Sequence, residues 1–252
     1  MNDNPFSPNP FSARMALALV LFGAGVFVLL LWMVGAGLAS GSTNDGGGHA
    51  GGRGLNGYAA LAGFLEKRGY TVRRSRSEGA LDDPGLLVLT PPPQAKGEAL
   101  AKIVAARRAI GPTLVVTPKW IGAPAPAGTP GAKKGWTVLL GPESPEWRGF
   151  LDDVGVGIGP MKGGWHGAGV AGRLPRADSV LSGRGPRLAP LVLGADGRIL
   201  AAYVDDGFYP MLARMALGPS AVAHRDEEEE DVLSHPIIVV FEPDLLDNWG
   251  MA

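Results

Sequence analysis

The sequence predicts an α/β fold: a flavodoxin-like, mostly parallel, doubly wound sheet behind a single N-terminal transmembrane helix. Three observations carry this reading. Met15 to Leu38 is apolar and contains no charged residue. Beyond it, the continuous apolar runs "GLLVLT", "TLVVT" and "PIIVVF" read as strands buried on both faces. Segments with helical spacing precede or separate these runs, as parallel strands require of their crossovers.

In chain order, residues 1–14 are a short tail ending in Arg14. As a helix, Met15 to Leu38 would reach ~36 Å, against a hydrocarbon core of ~30 Å. Trp32 falls near one end, where an indole suits the membrane interface. A cleavable signal peptide is the rival, because "GLASGS" offers small residues. The apolar run exceeds the ~7–15 residues of an ordinary signal core, so the reading adopted is an uncleaved anchor in the lipid bilayer. Arg14 precedes the span and the next basic residue is Arg53. That bias points the N-terminus to the cytoplasm and the domain to the extracytoplasmic side.

Residues 39–54 are Gly-rich and read as a flexible linker, and residues 55–252 as the folded domain. "LNGYAALAGFLEKRGY" spaces Leu55, Tyr58, Ala62 and Leu65 as one helix face, with Gly69 as the stop. "YTVRRSR" follows as a strand, "LDDPG" as a turn and "GLLVLT" as a buried strand. "QAKGEALAKIVAARRAIG" is a second helix, ended by Gly111 and Pro112. "TLVVT" and "WTVLL" are strands. Residues 141–187 are rich in Gly and Pro with little periodicity, and read as an extended insertion. "RLAPLVLGADGRILAAYVDD" is a β-hairpin about Asp196-Gly197. "FYPMLARMALG" reads as a helix, and "HRDEEEED" as a solvated acidic loop before the last strand.

A net charge of −1 and a pI near 6.4 leave no basic stripe for nucleic acid. The cluster Arg73 to Arg76 is short and reads as a solvated strand end. With no cysteine, the chain has no thiol nucleophile, disulfide framework or cysteine-ligated metal.

Three strands end alike: "LLVLT" runs into Pro91, "TLVVT" into Pro118 and "IIVVFE" into Pro243. In parallel sheets, ligands gather outside the carboxyl ends of strands. The candidate ligand-binding side chains are therefore Thr90, Thr117, Lys119, Trp120, Glu242 and Asp244, with Asp205 and Asp206 beside them. The plainer reading is that proline simply ends strands. Strand-end side chains are expected to lie outside the core, so that Lys119→Ala or Glu242→Ala would spare the fold. No catalytic residue, metal site or cofactor is predicted, since G-x-S-x-G, H-E-x-x-H and the P-loop lysine motif are all absent. Matches to G-x-G-x-x-G begin at Gly46, Gly52 and Gly167, but none follows a clear strand. His49, His166, His224 and His235 are scattered; the last two flank Asp226 to Asp231, a solvated run whose alternative reading is a cation site. The adjacent pairs Asp152-Asp153 and Asp205-Asp206 would point to opposite faces of a strand, so neither is an acid–base dyad.

Together, "GLNGYAALAGFLEKRGYTVRRSRS", "GLLVLTPP", "TLVVTPKW" and "VVFEPDLLDNWGMA" behind a membrane helix resemble the bacterial proteins grouped as domain of unknown function 4350. That resemblance implies a class I glutamine amidotransferase-like domain, flavodoxin-like in fold, held at the bacterial inner membrane. It also implies partners among membrane proteins that work beside a MoxR-type ATPase. The amidotransferase nucleophile is a cysteine, which this chain lacks, so that activity does not carry over.

The function expected is a membrane-anchored extracytoplasmic domain that binds a ligand or partner without catalysis, within a membrane complex. The alternative is an envelope hydrolase using strand-end carboxylates; a third reading is a purely structural component. After "IIVVF", Pro243 suits a first helical position and Asp244 and Asp247 suit the positive helix end. Leu245, Leu246 and Trp249 would form its apolar stripe. Covering a strand takes a helix of ~10 or more residues, and the resemblance implies that related chains continue into a second span. Residue 252 is therefore expected to be the edge of a truncated chain.

Overall fold

The computed structural model describes residues 13–35, 47–75, 78–132, 136–205 and 235–252. The chain divides into two units, Met1–Gly41 and Ser42–Ala252. The first carries helix α1, Ala13–Gly35. Its 23 residues are long and apolar enough to cross a membrane, and its side chains from Arg14 to Trp32 are exposed.

The second unit begins with α2, Ala59–Lys67, which stops before Gly69 at φ 90°. Strand β1 is Leu87–Leu89, helix α3 is Gly97–Arg107 and strand β2 is Thr113–Val116. Strands β3 (Trp120–Pro124) and β4 (Thr137–Pro142) form a separate two-stranded ribbon. Then come β5 (Gly155–Gly159), β6 (Trp165–Gly167), β7 (Val170–Gly172) and β8 (Val180–Arg184). Strands β9 (Leu188–Gly194), β10 (Ile199–Val204) and β11 (Ile237–Val240) complete the set.

The sheet corrects the flavodoxin-like expectation. Strands β1, β2 and β11 are parallel, in register through Leu87, Thr113 and Ile237. Beyond β11 every pairing is antiparallel: β10 on β11, β9 on β10, β6 on β9 and β7 on β6. A branch adds β8 beside β10 and β5 beside β8, again antiparallel. The result is a mixed, curled, nine-stranded sheet with three helices among the described residues. The physical reason is connectivity. A parallel strand needs a crossover, and within the sheet α3 supplies one between β1 and β2. Residues 155–204 contain no helix, and short turns make β6–β7 and β9–β10 antiparallel hairpins.

The Gly-rich stretch therefore builds strands rather than an irregular insertion. Its glycines let large rings lie flat on the backbone. A Cβ at Gly183 would sit 2.3 Å from the Phe241 ring, and one at Gly172 would sit 2.9 Å from the Trp165 ring. "YTVRRSR" is not a strand over its described residues 70–75, and β1 is a half-buried edge. The hairpin about Asp196-Gly197 forms as read, with Gly197 at φ 82°. "FYPMLARMALG", "HRDEEEED" up to Asp231, Asp206 and His224 lie outside the described residues.

Alternation along β11 sets the core. Ile237, Val239 and Phe241 face Leu100 and Val104 of α3. Val240 faces the other way, with Val116, Ala201 and Tyr58, where Leu245 and Leu246 pack against them. The buried Arg107 at the end of α3 donates to the carbonyls of Leu81 (2.7 Å), Asp83 and Gly85 (2.6 Å), which fixes the "LDDPG" turn against the helix. After β11 the chain makes a 3₁₀ turn, Pro243–Leu245, where a helix was expected.

Candidate functional site

Five of the predicted side chains meet at the carboxyl ends of β2 and β11, and they meet inside the protein. Pro118 ends β2 and swings Lys119 and Trp120 toward the chain that leaves β11. Lys119 Nζ donates to Glu242 Oε1 (2.7 Å) and Asp244 Oδ2 (2.8 Å). Trp120 Nε1 donates to Asp244 Oδ1 (2.6 Å), and the backbone N–H of Leu181 in β8 donates to Glu242 Oε2 (2.7 Å). Thr117 Oγ1 donates to the Phe241 carbonyl (2.5 Å). The side chains of Lys119, Glu242 and Asp244 have no exposed surface. The expectation that these side chains stand outside the core is thereby overturned. The C-terminal turn folds over them, and Trp249 stacks beside Trp120 with centroids 5.5 Å apart.

Lys119 pairs with Glu242 and Asp244, and a third carboxyl, Asp247, lies beside Asp244. Burial, then the charge of Asp244, pushes Glu242 up to about 7 against the pull of Lys119. Asp247 rises further, to about 8, through burial and the neighbouring Asp244 charge. Its Oδ1 accepts from Gly250 N (2.8 Å), while its Oδ2 meets no donor. The rise favours the neutral form of Asp247, which eases its repulsion with Asp244. Burial, then the charges of Asp247, Asp244 and Glu242, raises the Tyr58 phenol well above its ordinary range. Among the described residues no group of three or more His, Cys, Asp or Glu side chains is placed to hold a metal ion.

The roof is itself tied down. Asn248 Nδ2 donates to the carbonyls of Gly52 (2.9 Å) and Gly54 (2.6 Å), and its Oδ1 accepts from Ala60 N (2.8 Å) at the start of α2. Asn248 N and Trp249 N donate to Gly57 O and Leu55 O. Residues 47–54, read as the end of the linker, are held in the fold by these bonds and by Gly52 N and Tyr58 N donating to His49 O. The carbonyls of Gly52 and Gly54, in the G-x-G-x-x-G beginning at Gly52, are taken by Asn248. The turn requires Gly250, since a Cβ there would sit 1.5 Å from the Asp244 carbonyl.

Family models, curated proteins and solved structures offer no match to the chain. The site has to be read from its own chemistry.

Open space at these strand ends lies on the α3 face. A cleft of ≈ 300 Å³ is lined by Thr117, Val239 and Phe241 together with Trp147, Leu151 and Val156. Leu151 holds φ 55°, left-handed backbone that costs a non-glycine residue ~1–3 kcal/mol. The bond from Gly149 N to Asp152 Oδ1 (2.8 Å) helps hold that loop.

The remaining candidates disperse. Thr90 stands half-buried after the edge strand β1. Asp205 lies at the opposite end of the sheet from Glu242, because β10 runs antiparallel to β11. Asp153 pairs with Arg187 (2.6 Å), His166 is exposed on β6, and His235 donates its backbone N–H to Arg108 O. Sequence reasoning missed Asp247 as a buried carboxyl and Asn248 as a half-buried anchor, and read Tyr58 as a helix face. A legible signal was present: "TPKW" and "EPDLLDNW" each place charge and tryptophan just past a proline-ended strand, with opposite signs.

Proposed function

We propose that the chain is a membrane-tethered, extracytoplasmic binding module that performs no catalysis. One observation carries this: the ionisable cluster at the strand ends is sealed. A substrate cannot reach Glu242 or Asp244, and both already hold the protein's own donors. The cluster works as a fastener, which argues against the hydrolase alternative. The cleft beside Thr117 offers room for a small ligand, with apolar side chains such as Val239 and Phe241 and polar ones such as Glu146, Arg148 and Asp152 sharing its lining. Helix α1 supports anchoring, and Arg14 supports the cytoplasmic N-terminus. The resemblance to a bacterial family supplies the lead on partners, membrane proteins of a MoxR-type ATPase system.

Topology and binding are tested separately. Because the chain lacks cysteine, Lys102→Cys on the exposed side of α3 gives a single label. A membrane-impermeant maleimide should reach it in intact cells; labelling only after lysis would reverse the orientation. Full-length protein in nanodiscs, screened with small amphipathic fragments by thermal shift, should give stabilising hits that Val156→Trp abolishes by filling the cleft. Hits that survive that substitution, or none at all, would remove the cleft as the binding site.

A further inference from the structure

The ribbon of β3 and β4 stands apart from the main sheet and is apolar on its exposed side. Its register pairs Ile121 with Gly141, Ala123 with Val138 and Gly122 with Leu139. Alternation then puts Trp120, Gly122, Thr137 and Leu139 on one face. That face is inward: Trp120 is buried, and a Cβ on Gly54 would lie 2.9 Å from Thr137 Oγ1. Ile121, Ala123, Trp136, Val138 and Leu140 share the other face, the irregularity after Ile121 bringing Leu140 alongside it. On this face Ile121 is 40% exposed, Trp136 53% and Leu140 67%. A ribbon facing water on one side ordinarily alternates apolar-in with polar-out. Here both faces are apolar.

From this we propose that the ribbon is an interfacial foot, its Ile121–Trp136–Leu140 face resting in the headgroup layer of an anionic bilayer. The proposal rests on the anchoring reading of α1. Three features select a lipid surface over a protein partner. Between Trp120 and Pro142 the sequence holds no charged residue except Lys133 and Lys134, between the two strands, so its charge is complementary to anionic headgroups. An exposed tryptophan with neighbouring lysines is the composition that favours the interface. The 11 residues from 36 to 46, between α1 and Gly47, can reach at most ~40 Å even if fully extended, so the anchor keeps the domain near a membrane.

The absence of cysteine makes the test direct. Full-length protein carrying Leu140→Cys or, as reference, Lys102→Cys is labelled with an environment-sensitive fluorophore. It is then reconstituted into phosphatidylcholine vesicles with or without phosphatidylglycerol, containing nitroxide-labelled lipid. The label on Leu140→Cys should be quenched several-fold more than that on Lys102→Cys, more strongly with phosphatidylglycerol present, and less after Ile121→Ser and Trp136→Ser are added. Equal quenching at the two positions, with the protein floating with the vesicles, would overturn the ribbon proposal and leave the anchor standing. Shielding of the Leu140→Cys label from aqueous iodide without lipid quenching would mark a protein partner or a second copy and likewise overturn it. Failure to float would overturn the anchor reading, and the ribbon proposal with it.

Discussion

Residues 117–120 and the ribbon that follows them are neighbours in the chain with inverted burial. Lys119, the one cation of the pair of strand ends, has no exposed surface, while Leu140 twenty-one positions later is 67% exposed. Polarity alone would place them the other way round. Lys119 is inside because Glu242 and Asp244 arrive within 2.8 Å and neutralise it. Leu140 is outside because nothing in the described fold covers that face of the ribbon. Burial follows the partner that a side chain meets: a buried lysine is tolerated only when carboxylates pair with it, and a leucine stays exposed where no other part of the described fold covers it.

The strongest way to break this contrast is Lys119→Met. It leaves two buried carboxylates without their cation, and breaking such a pair costs ~3–5 kcal/mol. Urea unfolding of the reconstituted protein should show that loss. Adding Glu242→Gln and Asp244→Asn should restore a large part of it, because no unpaired charge then remains. If Lys119→Met alone left the midpoint unchanged, the sealed cluster would not be a fastener.

A pH series sharpens the same point. Asp247 and Glu242 have folded pKa values raised, to about 8 and about 7, above their unfolded values. The folded state therefore holds more protons than the unfolded state between the two sets of values. Stability should fall as pH rises from about 4.5 toward 8 and level off above 8, the two carboxyls titrating as a coupled set. Asp247→Asn keeps the acceptor for Gly250 and adds a donor beside Asp244. It should flatten much of the slope and raise stability at pH 8. An unchanged slope would show that Asp247 is ionised in the fold.

The smallest effect belongs to the ribbon. Leu140→Ser removes an exposed side chain, and its unfolding midpoint should move by no more than ~0.5 kcal/mol in detergent. A loss comparable to that of Lys119→Met would mean that the exposed face packs against the protein's own chain.

The apolar run at Met15, the strands β2 and β11, helix α3 and the turn at Asp196-Gly197 were all legible by themselves, because each is written in local periodicity or turn chemistry. The proline punctuation placed five of the six strand-end residues, Thr117, Lys119, Trp120, Glu242 and Asp244, near one another, without Thr90, and gave no hint that they would be buried. Three things were decided only in three dimensions. β10 lies antiparallel to β11, and no local pattern states which neighbour a strand takes. Gly183 belongs to a strand that leaves room for the ring of Phe241, fifty-eight positions later, to lie against its backbone. The site is closed because the backbone at Gly250 returns onto the Asp244 carbonyl and Asn248 fastens that return to Gly52 and Gly54. Periodicity records which face of one element is apolar. What comes to cover that face is a contact between distant parts of the chain, and one element's pattern does not contain it.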